Sequence, residues 1–218
     1  FSSILFSELT SNITLNAAVN YRSLKSENYA QVRDLLGSNG FLDIDTFANS
    51  ESGDGAGDLQ SNIAQSDVRN PNRIVGVGDR YKYNFDVNAD VMSGFAQAQF
   101  KYSKVDFYLA ASLGATNYQR NGLYENGNYQ GGNSSFGESE ALSFSTLGFK
   151  GGAVYKVTGR HLIDVNAGYL TKAPSIRNSF SNSRQNNNVV EGLIEEKIQN
   201  LDVSYIFRSP ILKARVTG

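Results

Sequence analysis

The chain has no cysteine and no tryptophan, and only one histidine, one methionine and three prolines among 218 residues. Without cysteine it can build neither a disulfide framework nor a thiolate metal site, an absence that suits an oxidising compartment without requiring one. Long hydrophobic runs are missing as well. None approaches the roughly 18 consecutive apolar residues that a membrane-crossing helix needs, so a helical membrane protein is excluded. Neither sign of charge dominates, with 20 Lys and Arg against 21 Asp and Glu. No basic stripe marks the chain for nucleic acid, which is not an expected partner. The first residues, FSSILFSELTSN, lack the charged, apolar and small-residue segments of a secretory signal. If the protein is exported, its signal is expected outside this chain.

What is present is alternation. In VDFYLAASLGAT, Val105, Phe107, Leu109, Ala111, Leu113 and Ala115 share one face, against Asp106, Tyr108, Ala110, Ser112, Gly114 and Thr116. This is the period-two pattern of a strand with one apolar face. The preceding segment splits likewise, with Met92, Ala96, Ala98, Phe100 and Tyr102 opposite Ser93, Gln97, Gln99 and Lys101, and Phe95 out of pattern. Only Ser103 and Lys104 separate the two segments, which predicts a tight antiparallel hairpin.

A second hairpin is expected around VTGRH, carrying Leu147, Phe149, Ala153 and Tyr155, then Ile163, Val165, Ala167 and Tyr169. A third turns at Arg208, Ser209 and Pro210, and a fourth near Thr10 to Asn12. That makes about eight strands in four hairpins. The segments between hairpins, 23 to about 85, 120 to 140 and 172 to 194, are long, polar and rich in Gly, Asn and Ser. Short turns thus alternate with long loops, as they do in outer-membrane barrels with short periplasmic turns and long extracellular loops. Lys150, Lys156, Asp164, Asp202, Lys213 and Arg215 occupy the polar faces and need water, because a dry core would not accept them unpaired. Tyr21, Tyr102, Tyr155, Tyr169, Tyr205 and Phe207 fall near strand ends, where an aromatic girdle would meet the membrane interface. The fold class expected is all-β, an antiparallel transmembrane β-barrel. A soluble barrel or sandwich with an aromatic core is the alternative.

Three stretches carry a family resemblance: LTSNITLNAAVNYRSLKSENYAQVRDLLG, GFAQAQFKYSKVDFYLAASLGATNYQR, and AGYLTKAPSIRNSF followed by NNNVVEGLIEEKIQNLDVSYIFRS. Together, and in this order, they resemble the barrel of TonB-dependent outer-membrane transporters, especially the Bacteroidota type with an N-terminal carboxypeptidase-regulatory-like domain. The resemblance implies a barrel of about 22 strands around a plug, driven by the TonB complex through an N-terminal region. It also implies outer-membrane lipid around the barrel and a surface lipoprotein as a further partner. Residues 1–218 are then expected to be a barrel segment of about eight strands, without the plug and the final strands. A structural, assembly or adhesion barrel within a surface complex is the alternative function.

No catalytic constellation is visible, and an enzyme is not expected. His161 follows the VTGR turn without a Ser or Cys nucleophile in a recognisable setting, and reads as a turn residue. Glu51, Asp54 and Asp58 miss the EF-hand spacing and read as a flexible loop, so no metal site is expected. GVGDR at 76–80 lacks the third glycine and the βαβ setting of a dinucleotide site and reads as a loop-to-strand transition; no cofactor is expected. In ENYAQVRDLLG, Tyr29, Val32 and Leu36 have helical spacing and Gly37 is placed to end a helix, so a short helix is predicted over 27–37 in an external loop. For a transporter, substrate should meet polar and aromatic residues where strands emerge into the external loops. Those are Arg22, Tyr29, Asn117, Tyr118, Arg120, Tyr124, Tyr129, Arg177 and Asn178. Aromatic rings stack on sugars or apolar groups, and Arg pairs with carboxylates or phosphates.

Overall fold

The computed structural model describes residues 1–45 and 62–218. The acidic stretch with Glu51, Asp54 and Asp58 lies outside the described residues. Four hairpins form in the expected places: β1 (Ser2–Thr10) with β2 (Ile13–Gln31), β5 (Arg80–Lys101) with β6 (Val105–Gly122), β8 (Leu142–Lys156) with β9 (His161–Lys172), and β10 (Glu196–Arg208) with β11 (Lys213–Thr217). The hairpins pair with one another in sequence order, so the eight strands form one antiparallel sheet, β1-β2-β5-β6-β8-β9-β10-β11. A two-residue β7 (Gly137–Glu138) adds to β6 as its ninth strand, while β3 (Phe41–Leu42) and β4 (Ile74–Val75) form a separate ribbon. Among the described residues the helical content is one turn, α1 (Ile176–Ser179). Among the described residues no helix is long and apolar enough to cross a membrane, which says nothing of crossing by strands.

The register makes the sequence alternation continuous across the sheet. Leu15, Ala98, Leu109, Gly151, Ala167 and Leu201 are successive cross-strand partners and form one row of the apolar face. One residue along, Asn16, Gln97, Ala110, Lys150, Gly168 and Asn200 form a row of the opposite face. The two faces have the reverse of the usual burial. Leu109, Leu113 and Leu201 of the apolar face are 60%, 66% and 71% exposed, whereas Thr116, Phe144, Leu162, Ser204 and Ile206 of the other face are buried.

Several charges on the shielded face pair with one another. Lys156 Nζ lies 2.7 Å from Asp106, and Arg215 Nη2 lies 3.2 Å from Asp164 and donates to Ser204 Oγ at 2.9 Å. Tyr108 donates to Asn166 Oδ1 at 3.2 Å. Rings collect at the turn end of the apolar face: Phe100 stacks on Phe107 at 4.5 Å, and His161 Nδ1 lies 2.5 Å from the Tyr205 hydroxyl, with its ring 5.1 Å from Phe207.

Two expectations need correction. The helix over 27–37 does not form, because residues up to Gln31 belong to β2 and pair with β5, Tyr29 opposite Asn84 and Gln31 opposite Arg80. Backbone groups already engaged in that ladder are unavailable to a helix. Gly37 does take the left-handed conformation expected of it, with Leu36 beside it at φ 50°, but in a turn. The second correction follows from the first. The loop expected from 23 to about 85 is shorter at both ends, since β2 runs to Gln31 and β5 starts at Arg80. GVGDR delivers the chain into β5 as expected, with Gly78 at φ 93°.

Candidate functional site

The four short connections lie at one end of the sheet and the three long ones at the other. The described parts of the long segments, 32–45 with 62–79, 123–141 and 173–195, bond to each other and form a cap at their end of the sheet. Its hub is Arg120, which sits on the polar face of β6 near the strand's loop end and is 2% exposed. Nε donates to the Ser183 carbonyl at 2.7 Å, and Nη1 donates to the Ser135 carbonyl at 2.9 Å and to Asn187 Oδ1. The guanidinium stands 4.9 Å over the Phe85 ring. Asn187 passes the connection on, its Nδ2 donating to the Asn133 carbonyl at 2.6 Å. One buried cation thereby ties the second long loop to the third. Burial pushes the Arg120 guanidinium down to about 10, so it stays charged at neutral pH.

The first long loop joins through Arg73. Its Nη2 lies 2.5 Å from Asp43 and donates to the Arg80 carbonyl at 2.7 Å and to the Tyr124 hydroxyl at 2.8 Å. Tyr124 in turn donates to the Arg80 carbonyl at 3.0 Å. Backbone bonds from Val68 to the Glu125 carbonyl and from Gly127 to the Gln65 carbonyl lace the first loop to the second. Gln185 Nε2 donates to Asp45 Oδ2 at 2.7 Å and closes the set.

The nine residues singled out from the sequence separate in this frame. Arg120 and Tyr124 are cap framework. Arg22 and Tyr118 lie on the polar face, Arg22 exposed and Tyr118 half-buried with its ring 6.0 Å from Phe144. Asn117 faces outward on the opposite side of β6. Tyr129 is half-buried, and its carbonyl accepts from the Ser134 and Ser135 hydroxyls. Asn178 is exposed on α1. Tyr29 and Arg177, distant in sequence, are brought to one cleft.

That cleft, of about 850 Å³, opens between the loop ends of β2 and β5 and the third long loop. Glu27, Asn28, Tyr29, Tyr83 and Phe85 form one wall, and Arg177 and residues 180–184 the other. Arg184 stands 5.2 Å over the Tyr83 ring, and Arg80 stands 3.9 Å over Tyr29 while holding Glu27 at 2.8 Å. Sequence reasoning missed Glu27, Tyr83 and Arg184. Glu27 falls in the stretch whose spacing imitates a helix, and Arg184 sits in the uniform polar run SNSRQNNN, where no spacing distinguishes it.

Comparison with protein-family models and with curated proteins finds no match for this chain.

Proposed function

We propose that this chain forms wall and mouth of an outer-membrane β-barrel transporter of the TonB-dependent kind, taking up a nutrient such as a glycan, peptide or metal chelate. The observation that carries this reading is the reversed burial of the sheet: leucines outward, charges inward. In water a face presenting Leu109, Leu113, Phe149 and Leu201 together would be an aggregation surface; in lipid it is the expected exterior. From Val105 to Ala115, at about 3.3 Å per residue and the ~35–45° tilt of barrel strands, the band stands roughly 25 Å high, the thickness such barrels present to lipid. Rings at Phe100, Phe107, Tyr155 and Tyr205 fall at one margin and Tyr21 at the other, as a girdle requires. On the reading as a transporter, the loop-bearing end faces outward and the cleft is open to arriving solute.

Residues 1–218 contain no cysteine, so single cysteines placed among them meet no background from this stretch. In native outer membranes, spin labels at 109, 111 and 113 should collide with oxygen, and labels at 110, 112 and 114 with a water-soluble nickel chelate. Uniform water access at all six positions would remove the membrane reading. Coupling to TonB is tested separately: deletion of this gene and deletion of TonB should abolish uptake of the same member of a panel of glycans, peptides and chelates. Uptake that survives without TonB would favour a passive or structural barrel.

A further inference from the structure

The cleft between β2, β5 and the third long loop has a charge balance that selects among ligands. Arg177 and Arg184 both line it, and neither is within ion-pair distance of a carboxylate among the described residues. The carboxylate in the wall, Glu27, is already neutralised by Arg80 at 2.8 Å. Among the described residues the cleft therefore presents two uncompensated guanidinium groups, each able to grip a carboxylate with two parallel hydrogen bonds.

The remaining wall is suited to a hydroxyl-rich body. Asn28 donates its amide hydrogens to Ser26, and Asn182 donates to Gln185, which leaves both side-chain carbonyl oxygens as acceptors. Tyr83 adds an aromatic ring beside them. An apolar ligand would strand these groups, and an acidic peptide is the competing ligand that the comparison with tetraglutamate below separates from a sugar. The volume, about 850 Å³, is within the range of sites that enclose a small oligomer.

The geometry points to an acidic sugar as the ligand: the cleft binds a uronic-acid-containing oligosaccharide, with Arg177 and Arg184 on its carboxylates and the amide and tyrosine groups on its hydroxyls and ring faces. This deepens the transport reading and rests on it for the outward position of the cleft.

The test is calorimetric titration of the full-length protein, purified in detergent, with linear tetragalacturonate. Its methyl ester keeps every hydroxyl and removes every charge. The acid form should bind and the ester at least tenfold more weakly, with affinity falling as salt rises. Arg177→Gln and Arg184→Gln should each lose roughly as much, and Arg184→Lys should recover part of it; unchanged circular dichroism would show that the variants fold. Equal affinity for acid and ester, no binding of the acid, or tighter binding of tetraglutamate than of tetragalacturonate would each overturn the assignment. Binding is read without TonB or a membrane potential. Failure of TonB-dependent uptake would therefore strike the transport reading alone, and failure of charge discrimination would strike the cleft alone.

Discussion

Arg120 shows how much one side chain can organise when water is excluded around it. A buried cation without a carboxylate is costly, and here the cost is offset by fixed dipoles: two backbone carbonyls, an amide oxygen and an aromatic face. Because these acceptors come from two different loops, the guanidinium fork acts as a clamp. Arg120→Met should leave the acceptors unpaired and cost about 2–4 kcal/mol of cap stability. Hydrogen exchange at residues 183–187 is expected to speed up while exchange in β8 and β9 stays unchanged. Arg120→Lys keeps the charge but cannot span both loops, and should show most of the same loss. The pH behaviour follows from the direction of the shift. The folded value, about 10, lies below that of the unfolded chain, so the unfolded chain holds the proton more tightly and stability rises with pH only above about 10. Between pH 5 and 9 the exchange rates of the cap, corrected for intrinsic pH dependence, should be flat as far as Arg120 is concerned.

At the level of elements, the strands were legible where one face is apolar and illegible where both faces are polar. From Ile13 to Tyr21 and from Val105 to Ala115 the alternation is strict, and the hairpins fall where it placed them. Beyond Tyr21, β2 continues through Ser23, Lys25 and Glu27 with polar residues on both faces, and no period remains to be read. The spacing of Tyr29, Val32 and Leu36 then imitates a helix, although the cross-strand ladder to β5 decides the backbone. The cap was beyond reach for a related reason: bonds such as Gln185 to Asp45 join residues 140 apart and leave no local pattern. Only residue types survive as a signal, which is why Arg120 and Tyr124 could be named but not assigned a task. The end of β6 allows a sharp test of the cap's fit. A Cβ on Gly122 would overlap the Ser135 carbonyl oxygen and press on Arg120 Nη1 at 2.7 Å. Gly122→Ala should therefore force the second loop off the strand, with a loss of about 1–3 kcal/mol, seen as protease cleavage between 123 and 137 that the parent protein resists.

For the whole molecule, the decisive property is the direction in which the sheet is turned inside out. Burial of leucine is the usual driving force of folding, worth about 1.5–3 kcal/mol per side chain, and this sheet leaves Leu109, Leu113 and Leu201 largely uncovered while shielding Asp164 and Ser204. On the proposed reading the surrounding medium supplies the apolar partner, so a charge should be tolerated or rejected according to the face that receives it. Adjacent positions in the middle of β6 separate the faces cleanly. Leu113 points to the exposed apolar face, and Ser112 to the polar face, where its Oγ comes close to Gly148. Leu113→Lys should cost about 2–4 kcal/mol if the outer side is hydrocarbon near the bilayer midplane, lowering the amount of protein assembled in the outer membrane and its denaturant midpoint in lipid vesicles. Ser112→Lys adds the same charge one residue away and should cost much less, because it joins the face that already carries Lys150, Lys156 and Asp164. A soluble sheet would reverse the order: lysine at 113 would improve solubility, and lysine at 112 would be the damaging change. The rank of the two variants in vesicle refolding therefore decides which side of this sheet faces lipid.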